Sequence, residues 1–404
     1  MSIQPTSSPA RRFRVVFVDH VGRLSGGELA LVRLLPALAE HVDAHVILGE
    51  DGPLVGRLEE LGISVEVLPL AARLRDVRRG TVTPGGLDLR ALVSLPGYVL
   101  RLARRLRRLR PDLVHTNSLK AALYGGVAGR IARVPVLWHV RDRISDDYLP
   151  GRAITLVHAA ARVLPTAVVA NSRATLATLP PLRLGTVVYN PVVPDSVVGP
   201  AGAAVRGTAA GLTIGILGRL SPWKGQHLFL DAFAAVFRDG GARARIIGSA
   251  MFGEEEYAAS LSRRVDDLRL RDRVEFRGFR EDIWAELAEL DVLVHASLAE
   301  GFGQTVLEGM AAGVPVIATE SGGPAELITD GVDGLLVPPN DVAALAEALA
   351  RLRDDPALRS RLGAAAQRRS LEFTPDRAAE RLLRVYASVL ERPRRLRGLR
   401  APGS

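Results

Sequence analysis

The stretch "EGFGQTVLEGMAAGVPVIAT", residues 300 to 319, decides the fold. The run "DVLVHAS" just before it reads as a strand. "GQTVLEGMAAG" places Val306, Leu307, Met310 and Ala311 at helical spacing, and "VPVIAT" reads as the next strand. Strand, glycine turn, helix and strand in that order build a parallel sheet covered by helices. The Gly301–Gly303 turn then lies at the carboxyl end of a strand and presents backbone N–H groups at a helix N-terminus, where an anion is favoured. Glu300 precedes the turn, and Glu308 lies about one helical turn beyond it.

Two carboxylates beside an anion site are unfavourable unless they accept hydrogen bonds from hydroxyls. A nucleotide sugar supplies both partners: a diphosphate for the amides and hydroxyls for the carboxylates. Thr305-x-x-Glu308 also fits a capping box, and spacing alone leaves the two readings open.

Outward from this stretch the same alternation runs through both halves of the chain. "RFRVVFVDH", "AHVILG", "ISVEVLP", "DLVHTN", "PVLWHV", "AVVANS" and "TVVYN" are strands of the first half; "TIGILGRL", "ARIIGS", "RVEFRGF", "DVLVHAS", "VPVIAT" and "DGLLVP" are strands of the second. Between them "DSVVGPAGAAVRGTAAGL" is small, glycine-rich and without period, as a linker is. The expected organisation is a disordered N-terminus over 1–12, a Rossmann-like N-terminal domain over 13–195, a linker over 196–211 and a Rossmann-like C-terminal domain over 212–375. A C-terminal helix over 376–391 and a disordered basic tail over 392–404 complete it. The fold class is α/β, with two tandem doubly wound parallel sheets. Ligands of such sheets sit beyond the carboxyl ends of the strands, so a cleft between the domains is the expected site.

Composition excludes several classes of function. A chain of 404 residues, 48% apolar, has room for about two cores. Without cysteine there is no disulfide, thiolate nucleophile or CxxC zinc site, which fits a reducing cytoplasm. "MSIQPTSSPARRF" has no apolar core of a signal peptide, and "AITLVHAAARVLPTAVVA" is broken by His158, Arg162 and Pro165, so no span is expected. The net charge of +9 comes almost wholly from arginine, since Lys120 and Lys224 are the only lysines. Acidic residues are interspersed with it, and no nucleic-acid partner is expected. No metal is expected either: DxD is absent, and His41 and His45 flank Asp43 on an outer helix end.

Further candidates follow strand ends. In "GILGRLSPWKGQ", Gly218 opens a turn, and Arg219 and Lys224 place two cations before a helix, suited to a diphosphate whose charge grows as its bond to a sugar breaks. "SGGE", residues 25–28, lets a group approach Gly26 and Gly27, with Glu28 opening a helix; Ser25-x-x-Glu28 is again a possible capping box. It is not the GxGxxG fingerprint, and there is no P-loop or GxSxG. His115 and His139 each end a strand, where either a ligand role, for His115 at the acceptor or diphosphate, or an interior role fits. "YVLRLARRLRRLR", residues 98–110, carries a Val99, Leu102, Leu106 and Leu109 stripe that could cover the sheet or lie on anionic lipid.

Taken together these stretches resemble the retaining glycosyltransferases of family four, of GT-B fold, over roughly residues 13 to 390. "EGFGQTVLEGMAAGVPVIAT" carries the family's E-x7-E pair, "GRLSPWKG" resembles its phosphate turn, and "SGGE", "DLVHTN", "WHVRD" and "SGGPAELI" fall in the family's order. The resemblance implies that Arg219 and Lys224 hold the donor diphosphate and Glu308 the ribose hydroxyls. Glu300 and the backbone of Phe302, Gly303, Gln304 and Thr305 would hold the transferred sugar, with His139 beside it. It implies that Phe279 and Arg280 of "FRGFRED" lie near the nucleobase, and that the "SGGE" glycines face the diphosphate or acceptor. The helix from Asp376 would return to brace the first domain. Pro191 stands where the family often has glycine, so the resemblance does not fix a role for Asn190.

The activity implied is hexosyl transfer with retention from a nucleoside-diphosphate sugar to a hydroxyl acceptor, such as a glycan, lipid-linked saccharide or small molecule, with no cofactor. A cytoplasmic enzyme in peripheral contact with the inner membrane face is the corresponding location. A nucleotide-sugar epimerase or hydrolase, or a non-catalytic sugar-nucleotide binder, are the alternatives. Acceptor choice is expected in the first domain, including the arginine-rich 71–90 loop.

Overall fold

The computed structural model describes residues 12–71, 89–146, 149–193, 211–251 and 253–398. The 1–11 segment, nearly all of the 71–90 loop, most of the linker and the last six residues lie outside the described residues, and so do the expectations placed on them. Two compact units result: Met1–Asn171 with Thr175–Pro191 and Pro375–Ser404, and Val192–Thr374 with Ser172–Ala174.

The first unit runs β1 (Phe13–Asp19), α1 (Gly26–Leu38), β2 (Val42–Leu48), α2 (Pro53–Glu60), β3 (Ser64–Val67), α3 (Leu89–Leu109), β4 (Leu113–Thr116) and α4 (Leu119–Ala132). It continues with β5 (Val136–Val140), α5 (Gly151–Val163), β6 (Ala167–Ala170), α6 (Arg173–Ala177), whose first two residues fall in the second unit, and β7 (Gly185–Val187). The sheet order is β3-β2-β1-β4-β5-β6-β7, with every pair parallel. Successive residues of β1 point to opposite faces: Val15 and Phe17 join one core cluster, Val16 and Val18 the other. With both faces covered, the strand reads as a nearly continuous apolar run.

Leu31, Leu34, Leu35 and Leu38 repeat at helical spacing and bury α1 on the first of these faces, each contributing about 1.5–3 kcal/mol. The C-terminal helix packs on α1 with Ala378, Ala379, Leu382, Tyr386 and Val389. That helix runs Pro375–Gly398, so 392–398, expected in a disordered tail, is helical here. The stripe of α3 is also settled: Val99, Leu102 and Leu106 are buried against the second sheet face and Leu109 packs there, so none of it is available to lipid.

The second unit runs β8 (Leu212–Leu217), a 3-10 turn (Pro222–Lys224), α7 (Gln226–Phe237), β9 (Ala242–Ile247), α8 (Glu255–Asp267), β10 (Val274–Gly278), α9 (Ile283–Ala288) and β11 (Val292–His295). Then come α10 (Gln304–Ala311), β12 (Val316–Thr319), α11 (Pro324–Leu327), β13 (Leu335–Val337), α12 (Val342–Asp354) and α13 (Pro356–Ser370); the C-terminal helix is α14. The order β10-β9-β8-β11-β12-β13 is again parallel. In each unit the strand order reverses between two central strands, β1 and β4 or β8 and β11, and the loops after those strands open the crevice in which such sheets bind ligands.

Candidate functional site

In the second unit the loops after β8 and β11 meet. Gly225 ends the 3-10 turn at φ +72°, and a Cβ there would stand 2.1 Å from the carbonyl oxygen of Ala296, so only glycine lets this turn lie against the end of β11. The close approach carries Lys224 to Glu300, with Nζ 2.6 Å from Oε2. His295, the last residue of β11 and buried, places Nε2 3.3 Å from the same oxygen. Burial alone would raise the Glu300 carboxyl; the Lys224 charge and the His295 hydrogen bond outweigh it and hold the carboxyl well below its usual range. Glu300 is therefore an ionised hydrogen-bond acceptor at working pH, not a proton donor. Sequence reading treated His295 only as part of a strand.

After Glu300 the chain turns through Phe302, which is buried, and Gly303 at φ +91°, which is the N-cap of α10 and gives it no side-chain cap. The Thr305-x-x-Glu308 capping box does not form: the helix begins at Gln304, and buried Glu308 accepts from Gln304 Nε2 at 3.4 Å. Gly323 packs so closely on Phe302 that a Cβ would meet its carbonyl oxygen at 2.2 Å, which ties "SGGP" to the turn. Ser172 Oγ donates to the Gly301 carbonyl at 2.6 Å from the other side.

Arg219 leaves the same β8 loop after Gly218, which sits at φ +149°. Its guanidinium lies 4.8 Å from the Trp223 ring centre, and its Nε is 3.4 Å from Glu254. Just after β10, Phe279 is 61% exposed, and Arg280 pairs with Glu286 at 3.1 Å. The described residues contain no group of three or more His, Asp or Glu side chains that could hold a metal ion.

In the first unit a buried polar network follows β1, β4 and β5. Asp19 accepts from Asn117 Nδ2 at 2.7 Å, and His20 Nδ1 lies 3.1 Å from Asp19 and 2.8 Å from Ser118 Oγ. Burial pushes the Asp19 carboxyl up, but the His20 hydrogen bond and charge with the Asn117 and Ser118 bonds bring it below its ordinary value. Glu28 is the opposite case: burial and the Asp19 charge push it up to about 7. Ser25 donates to the Glu28 carboxylate rather than to a backbone amide, so this capping box is replaced by a side-chain pair. Gly27 lies under Arg141, where a Cβ would meet Cδ at 3.1 Å, whereas at Gly26 a Cβ would meet nothing within 4 Å.

Arg141 organises this network and was not singled out by sequence. Its Nε donates to Asn117 Oδ1 at 3.0 Å and its Nη1 to Asn190 Oδ1 at 2.5 Å, while Asn171 donates to its carbonyl at 3.0 Å. Burial lowers the guanidinium to about 10 against the raising charges of Glu28 and Asp19, so it stays a cation. Asn190, whose role the sequence left open, is buried and held by this arginine. His139, the penultimate residue of β5, has its Nδ1 3.4 Å from Arg141 Nη2. His115 corrects an expectation: it is fully enclosed, with Nδ1 on Tyr386 at 2.7 Å and Nε2 on His139 at 3.1 Å, so it cannot touch acceptor or diphosphate.

Comparison with known proteins joins these observations. The model of the glycosyl transferases group 1 matches residues 210–369, and that of Glycosyltransferase Family 4 matches residues 24–196. The chain is 36% identical over 210 residues to the exopolysaccharide phosphotransferase SCO2592 of Streptomyces coelicolor, covering 50% of this chain and 22% of that protein. It is 26% identical over 370 residues, 86% of this chain and 89% of the relative, to the UDP-Gal:alpha-D-GlcNAc-diphosphoundecaprenol alpha-1,3-galactosyltransferase of Escherichia coli. Two of the curated relatives it matches are spanned over only 22% and 52% of their length. Among solved structures, Anabaena Alr3699/HepE in complex with UDP and glucose superposes with a TM-score of 0.81 at 28% identity, covering 93% of this chain and all of that one. Two parallel-sheet units and matches that together run across both of them lead to one assignment: the chain belongs to the group 1 glycosyltransferases of GT-B fold.

Proposed function

We propose that the chain moves a hexose from a nucleoside-diphosphate sugar, of the uridine class, to a hydroxyl acceptor with retention at the anomeric carbon. The observation that carries this reading is the Lys224–Glu300–His295 cluster at the β8/β11 switch point, beside a helix whose N-cap is a glycine without a capping side chain. An ammonium has three donors, so the Glu300 contact leaves capacity for phosphate oxygens. Ionised Glu300, with the Phe302–Thr305 backbone, accepts or orients sugar hydroxyls, Glu308 takes the ribose hydroxyls, and Phe279 with Arg280 takes the base. The UDP and glucose bound to the 28% identical Anabaena protein support the uridine class.

In the proposed step the acceptor oxygen attacks the anomeric carbon on the face that the diphosphate leaves. The bond from that carbon to the phosphate oxygen breaks with its electrons passing to the diphosphate, and the acceptor proton passes to the leaving phosphate oxygen. Arg219 and Lys224 stabilise the departing charge, each by about 2–4 kcal/mol, as preorganised donors do elsewhere. No metal enters the step. In the first unit, the Gly26–Glu28 turn, Asn190 and His139 are assigned to the diphosphate, acceptor and sugar.

The acceptor class proposed is a glycan or lipid-linked saccharide, at the cytoplasmic membrane face. The buried stripe of α3 rules out insertion, and contact falls to exposed Arg101, Arg104, Arg107 and Arg108 on anionic headgroups. Co-sedimentation with anionic but not neutral vesicles, lost on changing these arginines to glutamine, is the expected result.

The test of the reaction is incubation with UDP-glucose and UDP-galactose against an acceptor panel, with proton NMR of the product. A glycoside of the donor's own anomeric configuration is expected. An inverted product rejects retention, and free epimerised donor formed without acceptor rejects transfer.

A further inference from the structure

Three successive helices, α3, α4 and α5, cover one face of the first sheet, so their outer sides look away from it together. None of the three carries an Asp or Glu, whereas α2 and α14 on the opposite face carry Glu59, Glu60, Asp376 and Glu380. The buried stripe of α3 bars insertion of that helix, but its neighbour α5 has a second stripe. Val157 and Ala161 of α5 are buried, while Arg152, Leu156, Ala159 and Val163 follow one another at helical spacing on the outer side, and all four are exposed. Leu156 is 63% exposed and Val163 64%, the highest values for any large apolar side chain among the described residues.

Cations frame this stripe. Arg152 and Arg162 are exposed on α5 and form no ion pair among the described residues. Past Val163 the surface dips into a groove of about 280 Å³, lined in part by Arg162, Pro165, Thr166, Leu182 and exposed Arg183. Apolar side chains scattered singly on a surface need no explanation, but these two share one stripe bounded by unpaired guanidiniums. A second copy of the chain does not suit the face: a two-fold contact would set arginine against arginine, with no carboxylate on the three helices to pair them. A layer of phosphate groups over hydrocarbon suits both parts, since guanidiniums meet the phosphates while aliphatic side chains enter the acyl boundary.

We propose that α5 is the membrane-docking element of this chain: Leu156 and Val163 enter the interfacial layer of an anionic bilayer, and Arg152, Arg162 and Arg183 bind its headgroup phosphates. This rests on the membrane-face reading given above and adds to it an apolar anchor. The α3 arginines supply attraction that salt screens, whereas the α5 anchor persists when salt is raised.

The experiment is co-sedimentation of the full chain with mixed phosphatidylglycerol–phosphatidylcholine vesicles and with phosphatidylcholine alone. Partition onto the mixed vesicles is expected, falling about tenfold in Leu156→Ser/Val163→Ser, which keeps every arginine. Arg152→Gln/Arg162→Gln/Arg183→Gln should lose about 50- to 100-fold, at about fivefold for each cation near the surface. All five side chains are exposed, so Tm should stay at its unaltered value in both variants. Because the chain has no cysteine, Leu156→Cys takes a single polarity-sensitive fluorophore, and Glu60→Cys, exposed on the opposite face, is its control. On mixed vesicles the label at 156 should shift to shorter wavelength and be shielded from an aqueous quencher; the label at 60 should do neither.

Unchanged partition in the serine variant, or a label at 156 that stays in water on sedimented protein, overturns docking by α5 and leaves the α3 contact standing. No sedimentation of the unaltered chain with mixed vesicles overturns the membrane reading as a whole, so the two failures are distinguishable. A label at 156 that is shielded without lipid, in a species with the mass of two chains, assigns the face to a second copy and also overturns the proposal.

Discussion

Lys224→Ala perturbs the centre of the donor site and its effect can be worked from the geometry. At 2.6 Å the Lys224–Glu300 attraction is about 1.6 kcal/mol in bulk water and about 6 kcal/mol at an effective dielectric of ~20. The side chains are 24% and 16% exposed, so solvent screens the pair and a stability loss of about 1–3 kcal/mol is expected. For a unit of this size that is roughly 2–12 °C in Tm. The pH dependence follows from the depressed Glu300 carboxyl: its contribution is present above the unfolded value of 4.5 and is lost as pH falls through the lower folded value. Lys224 supplies part of that contribution, so the variant's deficit against the unaltered protein should shrink as pH falls below 4.5. Turnover, followed as UDP released from UDP-hexose, should drop by about two to three orders of magnitude if the cation meets the leaving diphosphate. A folded Lys224→Ala protein with turnover within about threefold of normal would falsify the charge role.

Glu28→Gln tests the buried carboxyl of the first unit. A folded value of about 7 against an ordinary 4.5 means that Glu28 supports stability below pH 4.5 and that this support is lost as pH rises through 7. At ~1.36 kcal/mol per unit the variant should be about 3 kcal/mol more stable than the unaltered protein at pH 8, with little difference at pH 4.5, in denaturant titrations; equal offsets at both pH values would show that Glu28 does not titrate there. Gly225→Ala forces a Cβ to within 2.1 Å of a backbone oxygen at φ +72° and should destabilise the second unit by about 2–4 kcal/mol by thermal melting. The control Gly56→Ala, exposed in α2 with nothing within 4 Å, should be neutral or stabilising by up to ~1 kcal/mol; similar losses in both would contradict the close-approach argument.

The strands were legible because parallel strands buried on two faces write themselves as apolar runs, each followed by glycine or polar residues, whereas the strand order that places the two switch points was not. Lys224 stood out as one of two lysines in an arginine-rich chain. Arg141 did not, for the same reason: nothing local separates it from the solvated arginines, and its partners Asn117 and Asn190 lie 24 and 49 residues away. His295 was hidden inside a strand whose last side chain turns toward Glu300. The Ser25 and Glu28 spacing serves a capping box or a side-chain pair equally, and only burial beside Asp19 decides between them. Likewise the 98–110 stripe has one pattern for sheet and lipid, and the sheet took it.

Calorimetric titration of the unaltered chain with UDP, set beside GDP, ADP and dTDP, tests the central claim most directly. A single uridine nucleotide site is expected, weakened at least tenfold in both Arg219→Ala and Lys224→Ala, with saturating UDP at ~100 times its dissociation constant stabilising the protein by about 2.7 kcal/mol. No heat and no stabilisation with any of the four nucleotides would contradict the donor site and the transfer reaction built on it.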